Sequence, residues 1–164
     1  MTLIFAAGLC GSILGAQNGD RQTLEGVWKV TEIVVSGAGA YSVSAAQPGV
    51  FIFTKSHYSW MWVPGTTPRT LFKTQAPTSE EKLAAFDSLA ASSGTYELNG
   101  SMATFRPIVA KGPNTVFIHE QFAIDGDTLT LSWVSGDMHM RIGQDVVQST
   151  APLSQGRMKL VRVE

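Results

Sequence analysis

Gly94-Thr95-Tyr96-Glu97-Leu98-Asn99-Gly100-Ser101-Met102-Ala103-Thr104-Phe105-Arg106-Pro107-Ile108 and Phe117-Ile118-His119-Glu120-Gln121-Phe122-Ala123-Ile124-Asp125-Gly126-Asp127-Thr128-Leu129-Thr130-Leu131-Ser132-Trp133 decide the fold. Four runs rich in β-branched and aromatic residues (95–98, 102–108, 117–124 and 128–133) flank the dipeptides Asn99-Gly100 and Asp125-Gly126. Such dipeptides accept positive φ at two successive positions, as a type I′ hairpin turn requires. Gly112-Pro113-Asn114 joins the two hairpins, so the expectation is a four-strand antiparallel meander.

The same signals continue on both sides. Residues 24–35, from Leu24 through Trp28 to Val35, read as a first strand. A Gly/Ser/Ala loop runs on to Pro48-Gly49. Strands at 50–54 and 57–63 follow, turning at Lys55-Ser56, and Pro64-Gly65 ends the second. Residues 77–92 change period. Thr78 with Glu81 three positions later is a capping box, and Leu83, Phe86, Leu89 and Ala90 share one helical face up to a stop at Gly94. This is one short helix at a barrel end, solvated and without a gating role. After a Gly/Ser/Gln-rich stretch (135–155), in which 138–142 could extend the preceding strand, a last strand covers 157–163. Eight short strands and one helix predict an all-β chain folded as a single antiparallel up-and-down β-barrel, because closure removes exposed edges.

Composition narrows the function. The chain has 164 residues, 44% hydrophobic and 15% charged, which suits one domain with a sizeable core. A net charge of −1 with no basic stripe argues against a nucleic-acid partner. The first 16 residues carry no charge and are too short to span a bilayer. They read as the apolar region of a cleaved secretory signal with a small-residue exit near Gly15-Ala16, although no Lys or Arg precedes them. Residues 17–23 are then a polar lead-in and 24–164 the barrel, in a periplasmic or secreted protein. Cys10 is the lone cysteine, so no internal disulfide can form. Leu9 stands where a lipid-attachment site wants Gly, Ala or Ser, so a lipoprotein is not expected.

Catalytic and metal signatures are weak. His57, His119 and His139 lie far apart with no His-x-His pair, so no metal site is expected. There is no nucleophile elbow, phosphate loop or dinucleotide fingerprint, and no cofactor is implied. Ser59 lies two residues after His57 on the same strand face, with no acid placed to orient the imidazole. Nothing in the sequence sets an oligomeric state.

Two sets of residues carry a family resemblance. Gly26-Val27-Trp28 matches the Gly-x-Trp signature of lipocalins. Ser93 through Gly100, Arg106 through Asn114, His57-Tyr58-Ser59-Trp60-Met61 and the ending Lys159 to Glu164 are together similar to the bacterial lipocalin-like domain family. The resemblance covers nearly all of the chain after the signal. It implies a lipocalin-like barrel whose signature tryptophan, Trp28, closes the floor beneath an arginine from the end of the chain, Arg162. Gly26, Trp28 and Arg162 are then structural residues of barrel closure.

Alternation predicts which side chains face inward. Met158, Leu160 and Arg162 share a face, as do Trp28, Val30, Glu32 and Val34. The other apolar sets are Tyr58, Trp60 and Trp62; Tyr96 and Leu98; Ile118, Glu120 and Phe122; and Leu129, Leu131 and Trp133. Turned inward, these sets bring Arg162 onto Trp28, since a guanidinium stacks well on indole. Strands 50–54 and 102–108 fit either orientation; Arg106 joins the lumen if Met102 and Thr104 face in.

The expected function is binding of a small hydrophobic or aromatic molecule in the lumen. Tyr58, Trp60, Trp62, Tyr96, Phe122 and Trp133 would supply the walls, with Glu32, Glu120 and Arg106 as polar anchors. One alternative is an isomerase or cyclase using a lumen carboxylate, as some lipocalin-like barrels do. The other is a filled barrel acting as a protein-interaction module. No catalytic residue is assigned.

Overall fold

The computed structural model describes residues 23–150 and 152–164. The stretch read as an export signal, Cys10 and most of the polar lead-in lie outside the described residues. The strands are β1 (Gly26–Gly37), β2 (Tyr41–Val43), β3 (Gly49–Phe53), β4 (His57–Trp62), β5 (Ala90–Asn99), β6 (Met102–Ala110), β7 (Thr115–Asp125), β8 (Thr128–Val134), β9 (Met138–Ile142), β10 (Asp145–Gln148) and β11 (Ser154–Arg162), with helix α1 (Ser79–Asp87) between β4 and β5.

Eight of these strands close a barrel. β1, β3, β4, β5, β6, β7, β8 and β11 each pair antiparallel with the next, and β11 returns to β1. The up-and-down all-β barrel expected from the sequence is the observed fold. Two further pieces join it: β2, in a stretch expected to be loop, pairs with β1, and the β9–β10 hairpin attaches through β9 to β7, so 138–142 forms a strand of its own and not an extension of β8. β7 is long enough to serve two partners. It pairs with β8 over Gln121 to Asp125 and with β9 over Thr115 to Ile118, a 3-10 turn at Ser135–Asp137 linking the two.

The two ends of the barrel differ. At one end β3–β4, β5–β6 and β7–β8 are joined by tight turns; at the other lie all the longer connections, including α1. The hairpin turns are displaced by one residue from expectation. Asn99 pairs with Met102 and Asp125 with Thr128, leaving Gly100-Ser101 and Gly126-Asp127 as the central pairs. Gly100 has φ +59° and Gly126 φ +55°, while among the described residues no non-glycine residue has positive φ. Glycine first with a negative φ after it is the type II′ pattern, not type I′.

The tight-turn end is packed solid. Trp28 is fully buried, its Nε1 donating to the Leu24 carbonyl at 2.8 Å. The Arg162 guanidinium lies 4.1 Å above the indole and donates to the carbonyls of Glu25 and Thr23. Gly26 has φ +131°, and a Cβ there would lie 2.6 Å from Arg162 Nη1, so the position demands glycine. Above this floor Phe53, Tyr58, Tyr96 and Phe105 pack edge-to-face and tilted, with centroids 4.9–6.2 Å apart.

A β-bulge in β1 reverses one expectation. The pairing with β11 slips between Val30 and Glu32, so Trp28 and Val30 face inward below it, and Ile33 and Val35 above it. Glu32 and Val34 therefore leave the inward set. Glu32 stands opposite Lys159 on the outer face, 2.9 Å from its Nζ and 3.6 Å from Arg157 Nη2.

The capping box on α1 is present in both halves: Glu81 N–H donates to Thr78 Oγ1, and Thr78 N–H to the Glu81 carboxylate. The helix ends earlier than its apolar spacing suggests. Ser88 N–H closes on the Ala84 carbonyl, and Ala90 already begins β5. Leu83 and Phe86 remain exposed, so α1 is a surface helix.

Candidate functional site

The long-loop half of the barrel is hollow. A cavity of about 250 Å³ is lined by Val35, Tyr41, Phe51, Trp60, Trp62, Ala90, Ile118, Glu120, Leu131, Trp133, Met138 and Met158. Trp60, Ala90, Ile118 and Met138 also border a cleft of about 340 Å³ beside the loop end of β6. The polarity of the barrel follows from the chain itself. Trp28, Arg162 and the aromatic cluster above them fill the tight-turn end, whereas no comparable plug stands among the lining residues of the long-loop end.

Each wall has a local cause. Phe51 and Trp60 stand opposite each other on β3 and β4 and stack, with centroids 5.7 Å apart and planes at 18°. Trp133 sits over Gly156, its cross-strand partner on β11; a Cβ at Gly156 would coincide with the indole. Glycine at that position is what lets the tryptophan turn into the lumen. The same indole borders an outer groove of about 350 Å³ that also holds His119, Gln121, Asp137 and Arg157, so Trp133 forms the wall between lumen and exterior.

Glu120 is the lumen's single carboxyl among the described residues. It lies on β7 opposite the fully buried Ala103 of β6. Among the described residues no hydrogen bond or ion pair reaches its carboxylate. Burial among apolar side chains pushes its pKa from 4.5 up to about 7. The Tyr58 phenol is raised as well, first by burial and further by the charge of Glu120, its hydrogen bond to Ser92 Oγ at 2.8 Å pulling the other way.

The structure brings together four of the nine lumen candidates: Trp60, Trp62, Glu120 and Trp133. Tyr58, Tyr96 and Phe122 point inward but belong to the packed core, Tyr96 donating to the Thr54 carbonyl at 2.7 Å. Glu32 is on the outside through the β1 bulge. Arg106 is outside because Ala103 and Phe105 take the inward positions of β6; it lies over the Phe117 ring and 3.7 Å from Glu97. Phe51, Ile118, Leu131 and Met158 were visible in the strand pattern but not singled out. Val35 was hidden by the bulge. Tyr41 comes from the stretch expected to be loop, and Met138 opens the 138–142 segment expected as an extension of the preceding strand.

The outer face of β7 holds a grouping that spacing conceals. Phe117 stacks on His139 at 4.2 Å, and His119, bonded through Nδ1 to Thr104 Oγ1 at 3.0 Å, meets His139 edge-on at 6.4 Å. No group of three or more metal-ligating side chains forms among the described residues. No helix among them is long and apolar enough to cross a membrane. No family model and no curated protein matches this chain.

Proposed function

We propose that this is an exported lipocalin-like protein that holds a small, largely apolar, ring-bearing molecule in the mouth half of its barrel. The observation that carries this reading is the contrast between a solid aromatic floor and a cavity of about 250 Å³ walled by three tryptophans around one carboxyl group. Sites of this kind draw affinity from buried apolar area and orientation from a few polar atoms. The volume lies just below the roughly 300–1,000 Å³ usual for ligand pockets, which favours a one-ring or two-ring occupant. Export rests on the charge-free residues 1–16 and family membership on Gly26, Trp28, Arg162 and the accompanying segments.

An acid–base enzyme is the weaker alternative, because two of its three groups, Glu32 and Arg106, lie on the outer face. Native mass spectrometry of the protein taken from its own compartment, followed by denaturing extraction, tests the binding reading. A stoichiometric apolar molecule of low mass supports it, and the intact mass reports removal of residues 1–16. An empty protein with no thermal shift across a library of lipids and aromatic compounds overturns it.

A further inference from the structure

Glu120 is the lumen's one unexplained group. A carboxyl placed among Trp60, Trp62, Ile118 and Trp133 with no protein donor serves neither packing nor an ion pair. Glu120 is half-buried, its carboxyl opening into the cavity, and an unpaired charge-bearing group set among apolar walls points to a partner that arrives from outside. The surrounding rings carry negative faces, which attract cations and give nothing to anions. From the strands packed around it, the titratable side chains facing Glu120 are the phenols of Tyr58 on β4 and Tyr41 on β2. None of the other lining residues is a cation.

We propose that the lumen selects a compact organic monocation, an arylalkyl ammonium, with its nitrogen against the Glu120 carboxylate and its ring among Trp60, Trp62 and Trp133. This rests on the lumen-binding reading above and names its substrate class. An amine supplies both missing contacts at once: a charge-assisted hydrogen bond to the carboxylate and a cation for the indole faces. A neutral occupant would leave Glu120 unpaired when ionised, and would be held best by the protonated acid as a donor. The two cases therefore differ in the sign of their pH dependence.

The probes are 2-phenylethylamine and its neutral isostere 2-phenylethanol, measured by calorimetry and tryptophan fluorescence at pH 5.5 and 8.5. With Glu120 titrating near 7, its ionised fraction rises about 30-fold across that interval. The amine is expected to bind up to about 30-fold tighter at pH 8.5 than at 5.5, and at least tenfold tighter than the alcohol at pH 8.5. Glu120→Gln should abolish the pH dependence and bring the amine down to the affinity of the alcohol. Equal binding of the two probes at pH 8.5, or an amine preference that survives in Glu120→Gln, overturns the assignment of charge and leaves lumen binding standing. Tighter binding of the alcohol at pH 5.5 than at 8.5, with no amine preference, identifies a neutral acceptor as the occupant and also overturns it. Failure of both probes to bind overturns the inference together with the reading it rests on.

Discussion

Replacing Glu120 with glutamine should make the empty protein more stable, and only above mildly acidic pH. The side chain keeps its shape, so packing in the lumen is preserved and the change is one of ionisation. In the unfolded chain Glu120 loses its proton near 4.5, whereas in the folded barrel it holds it to about 7. Below 4.5 both states are protonated and the residue contributes no penalty. Between those values the folded state binds one proton more than the unfolded state, so stability falls as pH rises. Above 7 both are ionised and the loss is complete. A gap of about 2.5 at 1.36 kcal/mol per pKa unit sets an upper bound of about 3 kcal/mol, because the side chain is half-buried and solvent screens part of the cost. Urea titrations of both proteins from pH 4 to 9 measure this directly, since every other ionisable group is common to the two. The stability difference between Glu120→Gln and the parent should rise from pH 4 to 8 by up to about 3 kcal/mol, at most roughly 10 °C in Tm for a barrel of this size. A difference that is flat with pH would mean that Glu120 is solvated or paired, and the lumen would lose its unpartnered acid.

The other perturbations probe the frame that holds this site. Gly156→Ala sets a methyl against the Trp133 indole; overpacking should cost about 2–3 kcal/mol in denaturant titrations, and a shift in tryptophan emission would show the ring displaced. Arg162→Lys keeps the charge but loses the planar stack on Trp28 and one of two carbonyl contacts, so a loss of about 2 kcal/mol is expected. Glu32→Gln should cost under about 1 kcal/mol and leave probe affinity unchanged, because its partners Lys159 and Arg157 are on the outer surface. A loss of several kcal/mol would instead place Glu32 in the interior. Thr78→Ala should speed amide exchange at Glu81 while changing global stability by under about 0.5 kcal/mol, since α1 buries no residue.

The barrel was legible because its decisive signals are local. Strand period, glycine at the turns and the Gly26-Val27-Trp28 start each act within a few residues, and closure then follows from the need to pair edges. Segments whose structure depends on a distant partner were not legible. β2 and β10, of three and four residues, are too short to show a strand period and exist because β1 and β9 offer them an edge. The helix ends before its apolar spacing predicts for a related reason. Leu89 and Ala90 fit a helical face, but Ala90, Ala91 and Ser92 pair with Trp62, Met61 and Trp60, and that ladder outweighs local propensity.

The two acids placed inward by alternation separate the reliable part of such reasoning from the fragile part. Parity along a strand is exact until a residue is inserted, and then every later side chain changes face. Glu120 lies at an even spacing from Ile118 and Phe122, above the run where Gln121 to Asp125 pair with β8 without interruption, and it faces the lumen as its neighbours require. Glu32 lies just beyond the slip at Val30, and the same counting puts it on the wrong side. The slip has a physical benefit: it puts Ile33 and Val35 inward and lets Glu32 meet Lys159, so an apolar residue replaces an acid in the core. Relief of that kind was available to one acid and not to the other. Moving Glu120 outward would turn Gln121 and His119 into a lumen walled by tryptophans and detach His119 from Thr104. The carboxyl thus stays inside with no protein partner, which is why it, rather than the aromatic row, is the residue on which a test of function should be spent.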